Sequence, residues 1–236
     1  MIDQHKINYK SEVDQENVKE NKRKTYSQIA YETIKSDLMN GRYDNYVNGR
    51  KIAMDMEVGY TPIREALQRL EKEGLLERIP NGGYFIKRIG WTDINRIFQV
   101  RECVELFVWE QLFDVIDSQL IKNMEMLHEE EIKALKDENI EKCRDIDTKF
   151  HAIFLEKYNN KDLLYLYYNS REKQMICTGK PLRLYDYEAV HEHQKIIELL
   201  KDGKKEECIK TLQNHILNFR KRMQSSCMKT EFYRDG

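Results

Sequence analysis

The segment 61–89 constrains the fold more than any other part of this 236-residue sequence. Thr61 is a suitable N-cap and Pro62 suits the first helical position, so the pattern predicts a helix over about 62–73. Two short β-type runs follow, LLERI and YFIKRI, and the Asn81-Gly82 pair between them supplies the positive φ angles of a tight hairpin. The segment therefore predicts a helix followed by a β-hairpin.

Two shorter helices are predicted before this segment. Residues 25–40 carry apolar side chains four positions apart, which marks one face of a helix, at Tyr26, Ala30, Ile34 and Leu38. The piece RKIAMDMEV over 50–58 has a similar apolar pattern. Three helices followed by a hairpin within residues 25–89 are the element order of a winged helix-turn-helix, the DNA-binding domain that we expect here.

The rest of the chain, residues 91–228, is predicted to be helical throughout. It divides into about six amphipathic helices that form an antiparallel bundle, at 92–116, 119–137, 139–158, 161–177, 186–201 and 204–226. Residues 1–24 are polar and read as a mobile arm. The fold class expected is mainly α, with a winged helix-turn-helix followed by an all-α bundle.

Charge and cysteine content narrow the class of protein. The formal net charge is −1, yet residues 21–90 hold 13 Lys and Arg against 9 Asp and Glu, an excess of +4. The five cysteines are scattered without a CxxC pair, so we interpret them as free core residues and not as disulfides or thiolate metal ligands. No apolar run is long enough to span a bilayer, and a cytoplasmic protein without membrane contact is expected.

The predicted third helix presents two different faces. Its apolar residues share one face, while Tyr60, Arg64 and Gln68 lie four positions apart on another. Arg and Gln are the side chains suited to bidentate contacts with guanine and adenine in the major groove. The alternative is that these residues form an ordinary solvated helix surface.

One aspartate and three histidines are predicted to face the helical core. Asp147 and His151 lie four residues apart on the apolar stripe of 139–158, and His193 and His215 lie on the apolar stripes of later helices. A buried carboxylate is costly unless it is paired or bound to a cation. Oxygen and imidazole ligands suit zinc, nickel, manganese or iron without selecting firmly among them, and zinc is the metal expected first. The alternative is that the histidines are satisfied core residues.

Arg101 is predicted to lie on the inward side of its helix. A buried guanidinium needs an anion, and a carboxylate effector bound near the metal would supply one. The alternative is an internal salt bridge to Glu105 or Asp147.

The stretch YTPIREALQRLEKEGLLERIPNGGYFIKRI closely resembles the winged helix-turn-helix of the GntR family of bacterial regulators, of the FadR type. The resemblance covers residues 25–89 and implies that Arg64 contacts bases, that Arg50 begins the second helix, and that Gly83 lies at the wing tip. The family usually has Ser-Arg before Thr-Pro, where this chain has Gly59-Tyr60. The resemblance and the polar face of the third helix together give the expected DNA-contacting set, which is Arg50, Lys51, Tyr60, Thr61, Arg64, Gln68 and Gly83.

The C-terminal part resembles the FCD domain that follows the winged helix in many FadR-type regulators. The resemblance rests on the pattern D-x-x-x-H, then E-H-x-x-I, then a histidine 22 positions after the histidine of E-H-x-x-I. The residues that match this pattern are Asp147, His151, His193 and His215. The resemblance implies that these four residues bind a metal and that a small organic acid binds beside it.

Together these features predict a ligand-responsive transcription regulator, a repressor, that binds double-stranded operator DNA as a homodimer. A regulator with a purely structural metal is an alternative. A metal-dependent hydrolase is a further alternative, against which stands the expectation that no further Glu, Ser or His faces inward as a general base. We therefore expect that the protein is not an enzyme.

Overall fold

The computed structural model describes residues 24–80, 82–87, 91–176 and 187–229. The chain divides after Lys87 into two compact units. The predicted mobile arm, apart from Lys24, lies outside the described residues, and so does Asn81 of the predicted hairpin turn.

Across its described residues, the N-terminal unit contains three helices and three short strands. In chain order they are α1 (Tyr26–Met39), β1 (Tyr46–Val47), α2 (Gly49–Asp55), α3 (Tyr60–Lys72), β2 (Leu76–Ile79) and β3 (Gly83–Ile86). Thr25 caps α1 by accepting a hydrogen bond from the backbone N–H of Gln28 at 3.2 Å. Buried apolar residues of α1 and α3, including Ile34 and Leu67, form the core. The predicted winged helix-turn-helix is confirmed.

The start of α3 differs from the prediction. The helix begins at Tyr60 with Gly59 as its N-cap, so the prediction of Thr61 as the cap is wrong. Pro62 is the third helical residue and not the first. A proline is tolerated there because the N–H groups of the first turn have no acceptor within the helix.

The hairpin is part of a three-stranded antiparallel sheet in which β3 lies between β1 and β2. Phe85 of β3 pairs with Tyr46 on one side and with Glu77 on the other. The sequence did not indicate β1, because a two-residue strand is too short to show an alternating pattern. Gly83 begins β3 with φ of +92°, and a Cβ there would lie 2.9 Å from the ring of Tyr46. This position therefore requires glycine.

Close packing of α2 against α3 depends on a second glycine. A Cβ at the buried Gly49 would lie 2.8 Å from Cδ1 of Leu67 and 3.2 Å from the ring of Tyr60. The absence of a side chain at Gly49 therefore fixes the distance between the two helices of the helix-turn-helix.

The C-terminal unit is helical across the described residues. Its helices are α4 (Trp91–Leu112), α5 (Ser118–Lys136), α6 (Ile140–Tyr158), α7 (Lys161–Ile176), α8 (Tyr187–Lys201) and α9 (Lys205–Lys229), with a 3₁₀ turn at Phe113–Val115 after α4. Aromatic residues fill the core, where Trp109 stacks on Phe154 with ring centroids 3.9 Å apart. Cys143 and Cys208 are buried as expected, but Cys103 is exposed, so its interpretation as a core residue is wrong. Cys177 and the side chain of Cys227 lie outside the described part of the chain.

Helix α9 is tied to the second turn of α4. The side-chain amide of Gln224 on α9 donates a hydrogen bond to Oδ1 of Asn95 at 3.1 Å. In the part of the chain that the structure describes, no helix is both long and apolar enough to cross a membrane.

Candidate metal centre and nucleic-acid interface

The exposed face of α3 carries the residues that the sequence predicted to contact DNA. The side chains of Arg64 and Gln68 are exposed, four residues apart, and Tyr60 begins the same helix with 45% of its surface exposed. The rest of the predicted set is exposed at Arg50, Lys51 and Thr61, and half-buried at Gly83. The N-terminal residues of such a helix are those that reach base edges in helix-turn-helix proteins.

Arg69 of α3 contacts α1. Its guanidinium lies 3.7 Å from the ring centroid of Tyr31, and its Nε donates to Glu73 at 3.2 Å. The hydroxyl of Tyr31 donates to the same carboxylate at 2.8 Å. This network holds α1 against α3 and was not foreseen from the sequence.

Four residues from three helices of the C-terminal unit meet at one buried cluster. Asp147 and His151 project from successive turns of α6, His193 comes from α8 and His215 from α9. One ligand atom of each residue lies within 4.8 Å of the corresponding atoms of the others, and all four residues are buried. The helical spacing that placed them inward in the sequence thus brings them together.

The three imidazole rings point their Nε2 atoms at one another. His151 and His215 are 3.0 Å apart at these atoms, and His193 lies 3.3 Å from each. Nitrogen ligands around one zinc ion at about 2.1 Å are separated by about 3.0–3.4 Å for tetrahedral or octahedral angles. The observed spacing therefore matches a shared cation.

Each imidazole also has a glutamate at its other nitrogen. Nδ1 of His193 lies 2.8 Å from Oε2 of Glu131 in a hydrogen bond. Nδ1 of His151 lies 2.8 Å from Oε2 of Glu105, which is an ion-pair contact whose geometry is not that of a hydrogen bond. Nδ1 of His215 lies 2.7 Å from Glu192. A carboxylate favours a proton on Nδ1, which leaves lone pairs on the three Nε2 atoms. Lone pairs 3.0–3.3 Å apart repel unless a cation lies between them, so the donor set fits a divalent metal.

Asp147 supplies the oxygen of the cluster. Its Oδ1 lies 3.7 Å from Nε2 of both His151 and His193, while its Oδ2 accepts from Nη2 of Arg171. Burial alone would raise the pKa of Asp147, but the charge of Arg171 and then of the histidines holds the pKa well below its ordinary value. The group is therefore a carboxylate, as a metal ligand must be.

Arg101 is 1% exposed and lies beside the cluster on α4. Its Nε donates to Oε1 of Glu105 at 2.7 Å and its Nη1 to Oε1 of Gln174 at 3.1 Å. The internal salt bridge to Glu105, an alternative in the sequence analysis, is therefore present. Nη2 of Arg101 is buried without a hydrogen-bond partner among the described residues. Burial would raise the pKa of Glu105, but Arg101 and then His151 lower it to about 2.

The expectation that no further Glu, Ser or His faces inward is wrong, because the structure buries Glu105, Glu131, His128 and Ser170. The sequence could have placed Glu131 inward, because its helical spacing continues the buried stripe of α5 formed by Leu120, Met124 and Ala134. The inward position of Arg171 could not be predicted in this way, because α7 has apolar side chains on all sides and no single face marks its buried side.

These observations define the class of protein. A winged helix-turn-helix with an exposed helix face is joined to a separate helical domain with a buried His-Asp cluster, which is the architecture of a DNA-binding regulator. Residues 25–86 match the model of bacterial regulatory proteins of the gntR family, and residues 96–218 match the FCD domain. The chain belongs to the GntR family of transcriptional regulators, in the group with a C-terminal FCD domain.

Curated relatives agree with this assignment. The chain is 28% identical over 187 residues to the uncharacterized HTH-type transcriptional regulator YdhC of Bacillus subtilis, which covers 75% of this chain and 81% of that protein. It is 24% identical over 172 residues to the gluconate operon transcriptional repressor of Bacillus licheniformis, and this match covers 70% of each of the two proteins. The relatives are regulators, so the expectation that the chain is not an enzyme is confirmed.

Solved structures show the same fold. Escherichia coli McbR/YncC is similar with a TM-score of 0.71 and 18% identity, over 86% of this chain and 98% of that one. A GntR regulator from Rhodococcus gives a TM-score of 0.73 and 14% identity, over 85% and 98%.

Proposed function

We propose that this regulator senses a small carboxylate at a metal centre formed by Asp147, His151, His193 and His215, and that it acts as a ligand-responsive repressor. The observation that carries the proposal is the convergence of three Nε2 atoms within 3.3 Å while each Nδ1 faces a glutamate. Zinc fits three imidazoles and one carboxylate best, and nickel, manganese or iron accept the same ligands. A metal held by these four residues would supply a Lewis acid suited to a carboxylate oxygen of the effector.

Arg101 is the proposed partner of the effector's carboxylate. Its buried Nη2 has no acceptor among the described residues, which costs free energy unless an anion supplies one. A carboxylate presents two oxygens and can accept from a guanidinium in a charge-assisted hydrogen bond. Because one relative is a gluconate operon repressor, gluconate belongs among the first acids to test.

On the DNA side, we propose that a homodimer binds a two-fold operator through α3 and the wing. Tyr60, Thr61, Arg64 and Gln68 would lie in the major groove, and Arg50 and Lys51 would contact phosphates. Gly83 would bring the wing backbone close to DNA, which its conformation and lack of a side chain permit. A dimer doubles the number of base pairs read and matches a palindromic site.

Metal content tests the proposal. Protein purified without chelator should contain about one equivalent of a transition metal, and His151→Ala and His193→Ala should lose it. His191→Ala is the matched control, because His191 is exposed on the same helix as His193 and should keep the metal. A folded, metal-free wild type would refute the metal centre.

Effector sensing is tested separately on the metal-loaded protein. A panel of small organic acids that includes gluconate should contain one that raises the melting temperature and releases operator DNA. Arg101→Met, assayed at a metal concentration that keeps the site saturated, should abolish both responses. If metal is bound but no acid has an effect, the metal is purely structural.

A further inference from the structure

Glu105 is shared between the metal cluster and Arg101. One carboxylate oxygen, Oε1, accepts from Nε of Arg101 at 2.7 Å, and the other, Oε2, lies 2.8 Å from Nδ1 of His151. All three residues are buried, and Glu105 itself is 0% exposed. Because Glu105 is shielded from bulk solvent, the orientation of its carboxylate depends on both partners together.

The other two glutamates have different neighbours. Glu131 faces His193 and lies 3.8 Å from Nδ1 of His128, and Glu192 accepts from His215, Asn218 and Arg222. Neither has a contact with Arg101 among the described residues. Glu105 thus differs from them in joining a candidate metal ligand to the arginine of the proposed effector site.

Gln174 gives Arg101 a second connection to the cluster. Its Oε1 accepts from Arg101 at 3.1 Å and from Nη1 of Arg171 at 3.4 Å, and Arg171 in turn holds Asp147. Arg101 is therefore linked to both cluster residues of α6, directly through Glu105 and more distantly through Gln174. The contact through Glu105 is shorter and involves full charges on both sides.

We infer that Glu105 is a positioning residue that makes the metal affinity of the site depend on what Arg101 binds. The inference rests on the proposed function. An anion that draws Arg101 toward itself pulls on Oε1 of Glu105 and thereby changes how Oε2 orients the imidazole of His151. Linkage requires that the metal changes the affinity for the anion by the same factor as the anion changes the affinity for the metal.

A double-mutant cycle on the full-length protein tests this with zinc alone as the probe. Zinc affinity is measured by competition with a chelating dye for the wild type, Arg101→Met, Glu105→Gln and the double variant. The change Arg101→Met should weaken zinc binding about tenfold in the wild type, as loss of support behind a metal ligand typically does. In the Glu105→Gln background it should alter zinc binding by no more than about twofold, the range of ordinary additivity.

Glu131→Gln is the matched control background. It removes the carboxylate behind His193 and leaves Arg101 and Glu105 in place, so Arg101→Met should keep its effect of about tenfold there. An equal effect of Arg101→Met in all three backgrounds would mean that the arginine acts by charge through space, and it would overturn the inference. No effect in the wild type would overturn it as well.

Two further measurements keep the test decisive. If Glu105→Gln does not fold by circular dichroism, Arg101→Lys replaces it, because lysine keeps the charge but loses the guanidinium geometry. Zinc binding as weak as in Arg101→Met then supports the contact, and wild-type binding overturns it.

The second measurement is the absorption spectrum of Co²⁺ bound at the site. The bands should differ between the wild type and Arg101→Met. They should not differ between Glu105→Gln and the double variant. A wild type that binds no metal refutes the proposed function itself, whereas a metal-binding wild type without coupling refutes this inference alone.

Discussion

The Nε2 atoms of His151 and His215 lie 3.0 Å apart, although 64 residues separate them along the chain. Removing a metal from between them should destabilise the C-terminal unit, because the lone pairs are then left facing each other. Chelation should lower the melting temperature, with about 4 kcal/mol lost when the free metal had exceeded its Kd a thousandfold. Calorimetry should show that the melting temperature returns to its original value when zinc is added back. His191→Ala should show the same shift and His193→Ala none, and a wild type indifferent to chelator would contradict the prediction.

Replacement of Gly49 should destabilise the N-terminal unit. A Cβ there would lie 2.8 Å from Leu67, so Gly49→Ala should cost about 1–3 kcal/mol as the helices move apart. The control is Gly59→Ser, since a Cβ at Gly59 meets nothing within 4 Å and serine is a good N-cap. Urea unfolding should show a loss for the first variant only. Equal stability of Gly49→Ala and the wild type would show that the helices repack without cost.

Two variants should separate base contacts from phosphate contacts. Arg64→Ala should lose about 1–3 kcal/mol of discrimination between selected and scrambled DNA. Lys51→Ala should weaken binding to both and reduce the salt slope of log K by about 1. Fluorescence anisotropy across a salt series measures both, with the exposed Lys136→Ala of the C-terminal unit as control. A wild-type salt slope in Lys51→Ala would exclude its phosphate contact.

Thiol labelling should distinguish the described cysteines. Burial raises the pKa of Cys143 to about 11 and that of Cys208 to about 12, so both thiols stay protonated at pH 8. The exposed Cys103 should react rapidly in the folded protein, and the other two only after unfolding. The assay uses a Cys177→Ser, Cys227→Ser background so that three thiols are counted. Rapid reaction of all three in the folded protein would contradict the burial.

The fold was predictable where its signals are local. A helix face repeats within a few residues, so the inward positions of Asp147 and His151 followed from spacing alone, as did the order of helices and hairpin. The strand β1 was missed because its pairing with β3 joins residues about 40 positions apart, such as Tyr46 and Phe85, and no local pattern records such a pairing.

The partners of the histidines could not be predicted for a similar reason. Glu131 and His193 are 62 residues apart, and whether a glutamate lies behind an imidazole depends on how the helices cross. A sequence indicates that a charged residue is on an apolar face, but not which residue on another helix compensates it. Arg101 is an example. The sequence allowed either a bound anion or an internal salt bridge as the partner of its guanidinium, and the structure contains the salt bridge, to Glu105.

The hydrogen bond between Gln224 and Asn95 makes the N-terminal part of α4 sensitive to rotation of α9. His215 and Gln224 are nine residues apart on one helix, which is about 14 Å of rigid rod. A tilt of about 5° pivoting at His215 displaces Gln224 by about 1 Å, enough to break a hydrogen bond of 3.1 Å. The N-terminal part of α4, which follows the end of the DNA-binding domain by only a few residues, is therefore attached to a part of α9 that a small rotation at the cluster displaces.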